Sequence, residues 1–177
     1  QVGYTPSCTR LVSSEGDGLC GLIVDQYEDR LVLQALTHGI HQRLPMIQEA
    51  LIELLRPKAI YLKNESTALQ KEGLPLEQRL LWGHWDVPWQ FELDGLRISL
   101  DIEKAHKTGL FLDQTVNRRM LGGYVQGKSV LDVFCYVGLW SLFAAKQGAR
   151  DTLGIDISKD AIEHSIRAAD RNGFASR

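Results

Sequence analysis

Residues 129–158 read SVLDVFCYVGLWSLFAAKQGARDTLGIDIS, and the order of chemistry within them decides the fold. SVLDVF is rich in β-branched and large apolar residues and has the length of a buried strand. CYVG is short and ends in Gly138, which suits a tight turn. LWSLFAAKQG has helix-forming composition and closes on Gly148, a residue type suited to a helix C-terminus. TLGIDI then repeats the strand pattern, and SKDAIEHSIRAADRNG is an amphipathic helix capped by Ser158 and ended by Gly173. Strand, turn, helix, strand, helix is the opening β-α-β-α of a parallel sheet covered by helices, a Rossmann-like arrangement.

The residues before this stretch have a different rhythm. RLVSS, LIVDQY and RLVLQAL are β-rich runs separated by turn residues, which predicts a β-meander over residues 10–37. Ile40, Leu44, Ile47, Leu51 and Leu54 recur every three or four residues, so one amphipathic helix is expected there, stopped before Pro57. AIYLK is a short strand. Residues 64–88 read as an irregular connection, and Trp82, Trp85 and Trp89 as packed aromatics, with base stacking as the alternative use. WQFELDGLRISLDI is a hairpin turning at Asp94-Gly95. A loop, EKAHKTG, leads to a helix from about Asp113 to Leu121. The fold class is therefore α/β, with a small α+β central domain of meander, helix and closing hairpin over residues 1–104 and a Rossmann-like part over 105–177.

Composition narrows the function. The 177 residues are 44% hydrophobic, enough for a real core, and 20 basic against 22 acidic side chains give a net charge of −2. That balance does not announce nucleic-acid binding, although a local basic patch is compatible with it. Three cysteines, Cys8, Cys20 and Cys135, suit neither a disulfide framework nor a structural zinc site, and point to a reducing cytosol. The five histidines include no i, i+4 pair, so no metal is assigned. VLDVFCYVGLWSLFAA is too short to span a bilayer and carries Asp132, so no membrane association is expected.

Two stretches compete as the cofactor turn. GDGLCG (residues 16–21) matches G-x-G-x-x-G literally, but the pattern cradles a pyrophosphate only when a helix N-terminus follows, and LIVDQYEDRLVLQ alternates like strands. Gly16, Gly18 and Gly21 therefore read as a tight turn at Asp17-Gly18, and Cys20 as a packed small side chain. CYVG has the right context and a single glycine. A diphosphate needs close backbone approach at several glycines, so this turn suits an adenosine-containing ligand without phosphates. Asp156, at the end of the next strand, can accept hydrogen bonds from both ribose hydroxyls, and Ile157 offers an aliphatic neighbour for adenine. The plainer readings are a turn-satisfying carboxylate for Asp132, a helix-capping partner for Asp156, and a backbone and packing role for Cys135.

The run KTGLFLDQTVNRRMLGGYVQGKSVLDVFCYVGLWSLFAAKQGARDTLGIDIS resembles class I S-adenosylmethionine-dependent methyltransferases of large-subunit ribosomal RNA, in particular a cytosine-5 group. EGDGLCGLIVDQY resembles the same family's E-A-D-G-L-P-G-L-x-V-D segment, with Cys20 where proline is usual. The resemblance implies S-adenosylmethionine bound by Asp132, Phe134, Cys135, Tyr136, Gly138, Asp156 and Ile157, and by Thr108, Gly109, Phe111, Asp113 and Gln114 of KTGLFLDQ. Lys107, Arg118 and Arg119 are candidates to face the phosphates of ribosomal RNA.

Methylating cytosine C5 requires a cysteine thiolate to add at C6 before C5 attacks the methyl group. The resemblance places that cysteine beyond Arg177, so no nucleophile is expected among the 177 residues. The family's preceding PUA domain and later strands are likewise expected outside the chain, which then reads as a fragment inactive alone and prone to pair, even to dimerise, through its unpaired strand edges. Guanine-directed rRNA methylation, a nicotinamide-dependent oxidoreductase and a non-catalytic RNA-binding fragment are the competing readings.

Overall fold

The computed structural model describes residues 8–174, which form two compact units. Among these residues, the first unit holds those up to Phe91 together with Leu100–Asp113, and the second holds Glu92–Ser99 together with those from Gln114 onward.

In the first unit, β1 (Cys8–Ser13), β2 (Leu22–Tyr27) and β3 (Arg30–Ala35) form the expected meander. GDGLCG begins inside a 3-10 turn over Ser14–Asp17 and continues as the loop into β2, with Gly18 at φ 70° and Gly21 at φ 88°. Gly21 is obligatory, because a Cβ there would lie 2.5 Å from Thr37. A strand follows the turn, so no helix N-terminus meets these glycines. Cys20 is exposed instead of packed, and its thiol donates to Glu15 at 3.1 Å.

The helix expected from Ile40 to Leu54 is broken into α1 (His38–Gln42) and α2 (Leu44–Leu55). Pro45 lacks an amide hydrogen and starts a fresh first turn, where that loss costs nothing. β4 (Ala59–Asn64) then pairs parallel with β3, Leu31 beside Ile60 and Leu33 beside Leu62. After α3 (Ala68–Lys71), residues Glu77–Gly83 form β5, antiparallel to β4, where the sequence suggested an irregular connection. EQRLLWG is mostly exposed at the sheet edge and shows little alternation, which hid it. The sheet order is β1-β2-β3-β4-β5.

Period-two alternation gives this sheet two chemically different faces. Leu22, Val24, Leu31, Leu33, Ile60 and Leu62 pack with Ile47 and Leu51 of α2 into an apolar core. The opposite face carries Asp25, Tyr27, Arg30, Gln34 and Lys63, all buried. Arg30 stacks 3.3 Å over the Trp89 ring and pairs with Asp29 and Asp86. Trp85 is buried edge-on to Tyr61, whereas Trp82 stays partly exposed.

The hairpin of β6 (Trp89–Leu93) and β7 (Leu96–Leu100) turns at Asp94-Gly95, both at positive φ, as the dipeptide predicts. Its tip belongs to the second unit, because Asp94 is bound there by Arg118 and Arg119. Residues 105–113 belong to the first unit, so the boundary drawn by sequence at 104/105 is displaced at both places.

In the second unit, α4 (Thr115–Val125) begins after a 3-10 turn at Leu112–Gln114 and runs past the expected end at Leu121, through Gly122 and Gly123. β8 (Ser129–Val133), α5 (Leu139–Lys146), β9 (Asp151–Ile155) and α6 (Lys159–Arg171) follow as read. β8 and β9 pair in parallel register from Ser129 beside Asp151 to Val133 beside Ile155. Val125, Ala144 and Ala149 form a core with Leu121 and Val130. Leu131, Val133, Leu153 and Ile155, on the other face of the two strands, are exposed. Ser158 Oγ caps α6 by accepting from the Ala161 amide at 3.2 Å. Among the described residues, no helix is long and apolar enough to cross a membrane.

Candidate functional site

The turn leaving β8 is held in an unusual backbone conformation. Phe134, Tyr136 and Gly138 have φ of 63°, 50° and 72°, a left-handed region that costs a non-glycine residue roughly 1 kcal/mol or more. Three hydrogen bonds over-determine it: Cys135 N to Ile155 O at 3.0 Å, Tyr136 N to Asp156 Oδ2 at 2.8 Å, and Gly138 N to Cys135 O at 2.8 Å. Gly138 suits this position because of its positive φ, and a Cβ there would lie 2.1 Å from Ser165 Oγ and 3.0 Å from Ser165 Cβ. The strain sits at the carboxyl ends of two parallel strands, where open α/β sheets bind ligands.

Two carboxylates fix this turn to its neighbours. Asp132 Oδ2 accepts from the Ser141 amide at 3.1 Å and the Ser141 hydroxyl at 2.9 Å, capping the first turn of α5 from the preceding strand. Asp156 accepts from Tyr136 N and, through Oδ1, from Ser158 N at 2.9 Å. The Ser158 and Tyr136 amides hold its carboxyl below the usual carboxylate range, so it is ionised at neutral pH. Each carboxylate oxygen has two acceptor sites, which leaves capacity for a diol. Phe134 is 85% exposed and Ile157 is fully exposed, two bare apolar side chains beside this carboxylate.

Cys135 is buried, and burial first, then Asp132 and Asp156, push its thiol pKa up. A thiol so placed stays protonated and is a poor nucleophile. Its sulfur packs over Gly154, where a Cβ would come within 3.0 Å. The arrangement fits an adenosine-containing cofactor: a ribose acceptor, apolar surface for a base, and Phe134 and Tyr136 in place of the glycines a diphosphate requires.

Of the other residues nominated from sequence, Lys107, Thr108, Gly109, Phe111 and Asp113 lie in the first unit. Thr108 is buried and donates through Oγ1 to Asp25 at 2.5 Å. Gly109 has φ 114°. Phe111 is partly exposed, with Lys107 Nζ 5.9 Å from its ring centroid, and Asp113 lies 3.8 Å from Arg10. Arg10, Lys107, Phe111 and Asp113 border a cavity of about 110 Å³. Gln114 belongs to the second unit and accepts from Asn117 at 3.0 Å.

The expectation that Arg118 faces RNA phosphate is corrected. Arg118 is 1% exposed and donates to Asp94 at 2.9 Å and to Thr115 at 3.3 Å, an internal pairing that removes it from the surface. Arg119 shares Asp94 at 2.8 Å but remains partly exposed. Asp25, Tyr27, Ser141 and Ser165 escaped the reading of the sequence. For Asp25 two signals were available: an isolated Asp in a β-rich run, and its place as the last residue of the segment that resembles E-A-D-G-L-P-G-L-x-V-D.

Comparison with known proteins supplies an independent reading. Residues 71–175 match the family model for S-adenosylmethionine-dependent methyltransferases. The ribosomal RNA large subunit methyltransferase I of Shewanella amazonensis is 43% identical over 166 residues, covering 93% of this chain and 42% of that protein. The enzyme of the same name from Aeromonas hydrophila is 36% identical over 169 residues, with the same two coverages. The chain thus spans less than half the length of these relatives. A solved structure from Streptococcus mutans, assigned as a SAM-dependent methyltransferase, superposes with TM-score 0.79 at 25% identity, over 97% of this chain and 44% of that one. The SAM-dependent methyltransferase of Agrobacterium tumefaciens, 20% identical with TM-score 0.64 over 97% of this chain and 50% of that one, shares the fold.

Proposed function

The chain belongs to the S-adenosylmethionine-dependent methyltransferase family, and from that premise we propose that it carries the methyl-donor turn of an enzyme that forms 5-methylcytosine in large-subunit ribosomal RNA. The observation that carries the donor site is the strained Phe134–Gly138 turn tied to Asp156. S-adenosylmethionine supplies an electrophilic methyl group on a sulfonium. Asp156 would accept the ribose hydroxyls, Phe134 and Ile157 would cover the adenine, and Asp132, Cys135, Tyr136 and Gly138 would fix the turn. Thr108, Gly109, Phe111, Asp113 and Gln114 are assigned to the same donor on the family resemblance.

The RNA assignment rests on the names of relatives 36–43% identical to this chain. Lys107 and Arg119 are the remaining candidates for phosphate contact, and a ribosomal RNA substrate supports a cytoplasmic location. Cytosine-5 chemistry also needs a thiolate at C6. Cys8 and Cys135 are buried, and the Cys20 thiol is pushed up by its hydrogen bond to Glu15 and that residue's charge, so the reading assigns the nucleophile outside residues 8–174.

The test is methyl transfer from labelled donor to unmodified large-subunit RNA by the intact protein, with nucleoside analysis of the product. Labelled 5-methylcytosine is expected. A labelled guanine would replace the base assignment, and donor binding without transfer to this RNA would remove the substrate.

A further inference from the structure

We propose that Asp25 and Tyr27, in the strand β2 that follows the glycine turn, are positioning residues that hold Thr108–Leu110 in its working conformation. This proposal rests on the methyltransferase reading of that segment.

Both residues point from the same face of β2, the one opposite the apolar core. Asp25 is completely buried, and a buried carboxylate is costly to desolvate. It is paired across the sheet with Arg10 in a two-pronged contact, Nε to Oδ1 at 2.8 Å and Nη2 to Oδ2 at 2.9 Å. Its remaining capacity takes the Thr108 hydroxyl. Apolar replacement of a buried ion pair is often neutral or stabilising, so stability alone does not explain a charge where β3 places Val32 as its cross-strand neighbour. Its contacts explain it: Asp25 grips Thr108 directly, and Arg10 carries the link on to Asp113, 3.8 Å from Nη1.

Tyr27 works on the backbone of the same segment. Its hydroxyl donates to Thr108 O at 3.0 Å and accepts from Leu110 N at 2.7 Å, so one buried oxygen clamps both sides of Gly109. The ring is fully buried and lies edge-on to Phe91 at 5.4 Å, which fixes where that oxygen sits. Gly109, at φ 114°, wraps around it; a Cβ there would come 2.9 Å from Leu100 and 3.0 Å from the hydroxyl. Thr108–Leu110 lies in neither helix nor strand, so these side-chain bonds set its shape.

In the intact protein, Tyr27→Phe removes the hydroxyl and keeps the ring. Hydrogen exchange at the Leu110 amide should become at least about tenfold faster, and S-adenosylmethionine affinity by calorimetry should fall about tenfold, the equivalent of one ordinary hydrogen bond. Asp25→Asn should lower donor affinity in the same direction. Leu51→Ala, on the far side of the sheet, serves as the control: it should lower the unfolding midpoint while leaving donor affinity and Leu110 exchange unchanged. Unchanged exchange and affinity in Tyr27→Phe would overturn the proposal, as would an equal loss of affinity in Leu51→Ala. Failure of the parent protein to bind the donor would overturn the functional reading instead, and the exchange result would still decide whether Tyr27 holds the segment.

Discussion

Replacing Gly138 by alanine would put a methyl group 2.1 Å from Ser165 Oγ at a φ of 72°. The hydroxyl can rotate away, but the backbone penalty stays, so a loss of about 1–2 kcal/mol in denaturant unfolding is expected. Ser165→Ala in the same background should recover only part of it. Asp132→Ala removes the acceptor for both the amide and the hydroxyl of Ser141, and should cost about 1–2 kcal/mol by the same measurement. At this scale the sequence was informative where a residue type has one dominant physical use. Gly138 as a turn glycine, Ser158 as a helix cap and Asp94-Gly95 as a hairpin turn were all readable. Arg118 was not, because the partner that buries it lies in the hairpin, and sequence spacing says nothing about which distant carboxylate an arginine meets. Asp25 and Tyr27 were hidden for the same reason, since their partners in Thr108–Leu110 are brought to β2 by the fold.

Helix α4 is joined to the hairpin turn by its buried Arg118 and its partly exposed Arg119, both on Asp94. Burial alone would push the Asp94 carboxyl up, but the hydrogen bonds and charges of Arg118 and Arg119 together outweigh it and hold the pKa below its usual value. A carboxyl whose folded pKa is depressed adds stability above its unfolded value near pH 4 and loses it as pH falls through the folded value. Unfolding midpoints should therefore drop as pH is lowered below about 4, and Asp94→Asn should flatten that part of the profile. Arg118→Ala should cost about 3 kcal/mol at neutral pH, because it leaves a buried carboxylate with one fewer partner. Element type was legible where composition, length and turn residues agreed, as in β8, α5 and β9, and where periodicity was strong, as in α6. It failed at β5, an exposed edge strand with little alternation, and at Pro45, which split one expected helix into two. The two glycine stretches show why context outweighs pattern. GDGLCG matches a dinucleotide fingerprint and leads into a strand, whereas CYVG does not match it and leads into α5.

Across the whole molecule, the residues assigned to one cofactor fall into two compact units, Thr108–Asp113 in the first and the Phe134–Gly138 turn with Asp156 in the second. Fold class was legible because each unit has its own hydrophobic rhythm, and the boundary was not, because two long-range contacts set it. Asp94 draws the hairpin tip to the second unit, while Asp25 and Tyr27 keep residues 105–113 in the first. The single-glycine turn after β8, with Asp156 beside it, is the proposed binding place of the methyl donor. Titrating S-adenosylmethionine into the intact protein and into its Asp156→Ala variant by calorimetry tests this most directly. Saturable binding by the parent and a loss of at least about tenfold in the variant are expected, because an ionised acceptor is removed from bound hydroxyls. Equal affinity in the two proteins would contradict it.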